Sequence, residues 1–251
     1  MIDYIFGEEY TLPSRGKVYG DRSINEHVKL RSMTTNEEMK RLRPSDRPYK
    51  VMADIIDDCL VEKPGISAYD MCLGDFQFLL YKLRIVTYGE EYDIRCKCPY
   101  CLAESAETVN LDELPVIEYT PELNDDLEFD LPKTKHHIKI KMQTPRMLDD
   151  VDIAARDFRR KAKQFEGDSA FLFRLTSQIE EVDGQKPDPI GIEQWARELP
   201  AADANYIMRK AQKLNGRIGV ENHLNITCDA CGLSYDSPFR VGEDFFDPGI
   251  D

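Results

Sequence analysis

Cys98-Pro-Tyr-Cys101 and Cys228-Asp-Ala-Cys231-Gly232 are the stretches on which the fold turns. Two Cys-x-x-Cys pairs supply four thiolates of the kind that closes a tetrahedral site around one structural Zn2+. Residues 102 to 227, 126 in all, lie between the pairs. An ordinary zinc ribbon has roughly 15–20 there. One metal shared by Cys98, Cys101, Cys228 and Cys231 therefore makes the intervening chain an insertion, folded between the two halves of a split ribbon.

Working outward, each pair has strand-like sequence on both sides. Tyr92 to Cys96 leads into the first pair and Glu107 to Leu111 leaves it; His223 to Cys228 leads into the second and Leu233 to Tyr235 leaves it. Two hairpins with cysteines at their tips are what a ribbon requires. A thioredoxin-like dithiol would sit at a helix N-terminus, and neither motif precedes a helical pattern. Cys96 offers an alternative ligand, although Pro99 favours pairing Cys98 with Cys101, and Leu102 stands where Gly232 follows the second pair. Four thiolates leave no coordination position open, so the expected metal stabilises structure and does not activate water.

Before the first pair, Pro13-Ser14-Arg15-Gly16 marks a turn between short extended pieces. His27 to Arg31 alternates as a half-buried strand does. Thr35 and Glu38 have capping-box spacing. Val51, Ile55 and Cys59 lie beside Met52, Ile56 and Leu60 on one helical face. Asp75 to Val86 is almost continuously apolar around its circumference and predicts the central helix of a first core, stopped by Gly89. Cys59 and Cys72 read as buried thiols.

Within the insertion, Leu127, Phe129 and Leu131 alternate with acids, and Ile138, Ile140 and Met142 with lysines. This predicts a hairpin across Pro132 to His136 with cross-strand charge pairing. Thr144-Pro145 begins and Gly167 ends a helix of about six turns carrying Leu148, Val151, Ala155, Phe158, Ala162 and Phe165. Further helices are expected from about Ala170 to Glu181, Gly191 to Leu199 and Pro200 to Leu214. The fold class is α+β: mainly helical, with short antiparallel hairpins and a split zinc ribbon joining an N-terminal core to an inserted α/β segment. The divisions are an N-terminal core over 1–95, the split ribbon over 96–111 with 223–240, the insertion over 112–222 and a tail over 241–251.

Charge narrows the function. The chain has 251 residues and a net charge of −14, from 47 acidic and 33 basic residues, which opposes binding to nucleic acid. Around the cysteine pairs, Glu90, Glu91, Asp93, Glu104, Glu107, Asp229 and Asp236 outnumber Arg95, Lys97 and Arg240. No apolar run approaches the ~18–20 residues of a membrane span, and the first residues lack the basic and apolar regions of a secretory signal. A cytoplasmic setting follows, in which seven cysteines read as metal ligands and buried thiols, not a disulfide framework. GxxxxGK[ST], GxGxxG after a strand, GxSxG and HExxH are all missing. His136 and His137 read as turn residues, and Asp57-Asp58 and Asp149-Asp150-Asp152 as solvated helix faces. Neither catalytic residues nor a small-molecule substrate is expected.

Several segments together resemble a family. These are Leu12-Pro13-Ser14-Arg15-Gly16-Lys17-Val18-Tyr19, then Leu30-Arg31-Ser32-Met33-Thr34, Arg84-Ile85-Val86-Thr87-Tyr88-Gly89, Ile179 to Gly184, and Phe245-Phe246-Asp247-Pro248 after the last cysteine pair. Their order, over nearly the whole chain, resembles the baseplate hub assembly chaperones of T4-type tailed bacteriophages. The resemblance implies a non-enzymatic morphogenesis factor that promotes assembly of the central hub in the host bacterial cytoplasm, with hub proteins as partners. Some members are described instead as permanent hub subunits of the virion baseplate. Phe239, Phe245 and Phe246 in the tail are candidate partner anchors, since aromatics anchor interfaces; the alternative is that the tail packs back on its own ribbon.

Overall fold

A computed structural model describes residues 5–162, 167–238 and 243–246. Strands β1 (Phe6–Thr11) and β2 (His27–Arg31) pair antiparallel and are followed by helices α1 (Thr35–Arg41), α2 (Pro48–Cys59) and α3 (Leu73–Tyr88). A hairpin of β3 (Glu91–Lys97) and β4 (Glu104–Asn110) comes next. Then follow β5 (Val116–Ile117), α4 (Glu122–Asp126), β6 (Glu128–Asp130), β7 (His137–Ile140), α5 (Pro145–Lys161), α6 (Ser169–Gln178), β8 (Ile179–Val182), α7 (Pro189–Glu198), α8 (Ala201–Asn215) and β9 (Gly219–Val220). A second hairpin, β10 (His223–Thr227) with β11 (Ser234–Pro238), completes the order, and β5 pairs with β9. The architecture is mixed α+β, with helices and short antiparallel sheets. No helix among the described residues is long and apolar enough to cross a membrane.

Two cores form. The first surrounds α3, where Phe76, Leu79, Leu80 and Leu83 meet Leu12, Leu30, Ile55 and Ile56. Burial around most of α3, with Gln77 its exposed position, explains why its sequence shows no polar stripe. The second packs Leu123 of α4 and Leu131, Ile138 and Ile140 from the β6–β7 hairpin against Leu175, Ile207 and Leu214 from α6 and α8. Glu128 opposes Lys139 across β6 and β7, and their side chains approach to 3.3 Å, the charge pairing expected of this hairpin.

The two cores meet at the first turn of α3. A Cβ at Gly74 would stand 2.3 Å from the Ile218 carbonyl oxygen, so only glycine lets β9 lie this close. Beside it, buried Asp75 accepts from the Ser14 backbone N–H at 2.9 Å and from the hydroxyls of Ser14 and Tyr19. Burial raises the Asp75 carboxyl, working against these bonds.

Several elements differ from expectation. The N-cap of α1 is Thr34, with Glu37 completing the capping box, one residue earlier than the Thr35 and Glu38 pair. Arg31 decides the register by donating to Glu37 at 3.0 Å. The insertion's long helix, α5, ends at Lys161 with Ala162 as its C-cap, short of Gly167; Phe165 lies outside the described residues. Helix α6 stops at Gln178, and Ile179–Val182 becomes a third strand on β7. Asp183 and Gly184, at φ of 52° and 75°, then reverse the chain. Asp149 is fully buried, not solvated: it accepts from the backbone N–H groups of Tyr49 and Lys50 at 3.3 and 2.9 Å and from the Tyr69 hydroxyl at 3.0 Å. It thereby caps α2, whose own N-cap residue, Arg47, makes no side-chain capping bond. Asp57 similarly accepts from Ser67 Oγ and the Ala68 N–H.

Residues 243–246 of the tail also depart from expectation. Phe245 and Phe246, expected as partner anchors, are 0% and 4% exposed inside the first core. The Phe245 ring lies 5.2 Å from that of Tyr81 and 5.3 Å from that of Tyr92. Arg84 fixes the same point, donating to the carbonyls of Phe245, Gly89 and Glu91. Phe239 lies outside the described residues.

Two measurements check this account. Gly74→Ala should lower unfolding stability in urea by about 1–3 kcal/mol, the usual cost of overpacking. Burial would raise the Glu37 carboxyl, but bonds from Arg31 and Thr34 outweigh it and hold it at about 2, against an ordinary 4.5. With the folded value depressed, ionised Glu37 stabilises fully above pH 4.5 and loses that effect as pH falls toward 2. Glu37→Gln should therefore cost about 1–3 kcal/mol at pH 7, and the gap from wild type should close across that acid window.

Candidate metal centre

The four cysteines of the paired motifs converge. Their Sγ atoms all lie within 4.8 Å of one another, with Cys98 to Cys231 at 3.8 Å and Cys101 to Cys228 at 3.6 Å. These separations are far beyond the ~2.05 Å of a disulfide. They match the edge of a tetrahedron of sulfurs around a metal with bonds of ~2.3 Å, which is ~3.8 Å. The group can hold a metal ion, and Cys96 is not part of it.

Local backbone geometry aims the sulfurs. In the first knuckle the Cys98 N–H donates to the Ala103 carbonyl at 2.9 Å and the Leu102 N–H to the Cys98 carbonyl at 3.0 Å. In the second, the Cys228 N–H donates to the Leu233 carbonyl at 3.0 Å and the Gly232 N–H to the Cys228 carbonyl at 2.7 Å. The two frames are equivalent. Leu102 adopts the same left-handed conformation as Gly232, at φ of 63° and 72°, so the missing glycine after Cys101 does not change the turn. Beneath the sulfurs, Cys96, Ile226 and Tyr235 form a small shared core.

Thiols this crowded cannot all ionise without a cation. Backbone N–H groups, chiefly of Cys101, hold Cys98 down at about 7. At Cys231 the Leu233 N–H works downward, but burial and the other three thiols prevail and push it up to about 12. A divalent ion removes that conflict by stabilising every thiolate at once. Elsewhere, burial raises Cys59 to about 12 and raises Cys72 as well, so those thiols are inert packing groups. His136, His137 and His223 pair with Asp183, Asp130 and Asp236.

Sequence reasoning found the cysteine group but not the buried ionic groups Asp75, Asp149 and Arg84. Asp75 and Asp149 take partners distant in the chain, as Arg84 does at Phe245, and no local motif announces these contacts.

The family described as T4 bacteriophage base plate protein matches residues 6–247. No curated protein and no solved structure matches the chain.

Elemental analysis of protein purified without chelator should return close to one divalent metal per chain. Cys228→Ser should lose both the metal and thermal stability; equal metal content in the two proteins would rule out the centre.

Proposed function

The chain belongs to the T4 bacteriophage base plate protein family, and from that premise we propose that it is a tail morphogenesis factor. It acts in the host bacterial cytoplasm as a chaperone, promoting assembly of the central hub of the baseplate through contacts with hub proteins. Its cofactor is one structural Zn2+, held by Cys98, Cys101, Cys228 and Cys231 as a split ribbon that fastens the N-terminal core to the inserted α/β segment.

The closed donor set carries the non-enzymatic part of this reading. Four cysteine ligands complete the tetrahedral coordination that zinc prefers, which leaves no position for substrate or activating water. The net charge of −14 supports protein partners over nucleic acid, because a strong field of one sign speeds encounter with a basic protein and repels phosphates. Neither a membrane span nor a small-molecule substrate enters the reading.

Affinity capture from infected cells, with mass spectrometry of both the captured material and purified virions, is the test. Hub proteins in the captured fraction and absence of the chain from mature particles are expected. Stoichiometric presence in virions would instead identify a permanent subunit of the hub.

A further inference from the structure

We infer that the apolar tip formed by Tyr100, Leu102 and Leu233 is the surface that docks onto a partner protein, and that the partner offers an apolar pocket with a basic rim. The inference rests on the protein-binding function proposed above and assigns it a place.

These three side chains belong to the two cysteine knuckles and are 62%, 65% and 50% exposed. Leu102 is the informative one. It occupies a left-handed backbone position, φ 63°, equivalent to that of Gly232 in the second knuckle. Glycine adopts that conformation freely, whereas an L side chain is strained there. The other residues with side chains at positive φ, among those described, are Arg15, Lys135 and Asp183, all polar. Leucine thus carries a conformational cost at this position while burying little within its own chain. Contact with another molecule is what its side chain can gain. Tyr100 precedes Cys101 and Leu233 follows Gly232, in knuckles whose sulfurs converge within 4.8 Å, and aromatic and aliphatic side chains inserting into a pocket are the usual form of an interface anchor.

Charge selects the occupant. Residues 91–110 and 223–238, the two hairpins that carry the tip, contain six carboxylates against Arg95 and Lys97. A second copy of this chain would bring like charge to the contact, and a nucleic acid would bring phosphates. A pocket bordered by lysine or arginine complements both the apolar tip and its acidic support.

The probe is the baseplate protein that co-purifies with the wild-type chain from infected cells, identified by mass spectrometry and expressed alone. Its binding is titrated calorimetrically against full-length wild type, Leu102→Gly and Leu233→Ser. At least tenfold weakening is expected for each variant, with metal content unchanged. For Leu102→Gly the melting temperature should stay at or above that of wild type, because backbone strain is relieved while binding is lost. Wild-type affinity within threefold in Leu102→Gly overturns the inference, and that variant decides if Leu233→Ser loses metal. Dependence of self-association or of oligonucleotide binding on the tip, with partner affinity unchanged, overturns it too. A wild-type chain that retains no baseplate protein defeats the proposed function and the tip together, whereas retention by wild type and variants alike defeats the tip alone.

Discussion

The contact between Gly74 and the returning backbone at Ile218 and Gly219 is the constraint on which the rest of the arrangement depends. A Cβ at Gly219 would stand 2.8 Å from Gly74 Cα, so neither side of the contact has room for a side chain. The same corner collects other ties. The Leu73 N–H donates to the Gln143 carbonyl, and the Gln143 N–H to Asn215 Oδ1, both at 2.8 Å. The start of α3, the entry to α5 and the end of α8 are thereby fixed to one another. With β5 also paired to β9, the chain between the two cysteine hairpins departs and returns at neighbouring points. The cysteine group then closes a short effective loop instead of the whole intervening chain, and the entropy of closure that it must offset is correspondingly small.

Buried ions make the connections that apolar packing alone would leave unspecific. Asp149 lies on α5 yet satisfies the free N–H groups at the start of α2. Asp203, on α8, accepts from the backbone of Lys133 and Thr134 in the β6–β7 turn at 2.9 Å each. Arg84 does the converse with three carbonyls. Each carboxylate or guanidinium meets backbone groups from a distant segment, so displacing the segment strands a buried charge as well as its partners. Such contacts define one relative placement of the elements, which Leu and Ile contacts tolerate less selectively.

The features legible in the sequence were those whose cause is local. The cysteine pairs, the hairpin around each of them and the stop at Gly89 all lie within a few residues of their signal. The third strand was not legible, because Ile179 to Val182 continue the apolar pattern of α6 and become a strand only where β7 offers an unpaired edge. The cap of α1 was ambiguous by one residue, since Thr34 with Glu37 and Thr35 with Glu38 have the same spacing; Arg31 separates them, from outside the motif. Burial of Phe245 and Phe246 depends on Arg84, Tyr81 and Tyr92, far earlier in the chain. Aromatic residues near a terminus look alike in sequence whether they face a partner or their own core.

Placement of Phe245 and Phe246 in the first core bears on how the cysteine hairpins are held. Arg84 binds the carbonyls of Gly89, which caps α3, and of Glu91, which begins β3, together with Phe245 of the tail, so the first hairpin is rooted at its base in the first core. Convergence of the cysteines ties it to the second hairpin at its other end. Between these two fixed points β4 and β10 flank an open groove of about 540 Å³ lined by Val109, Leu224 and Ile226. An arm held at both ends presents its tip in one orientation, and a preorganised surface loses less conformational entropy on binding than a mobile tail would. Using Phe245 and Phe246 as internal anchors therefore makes a rigid contact surface available at the knuckles.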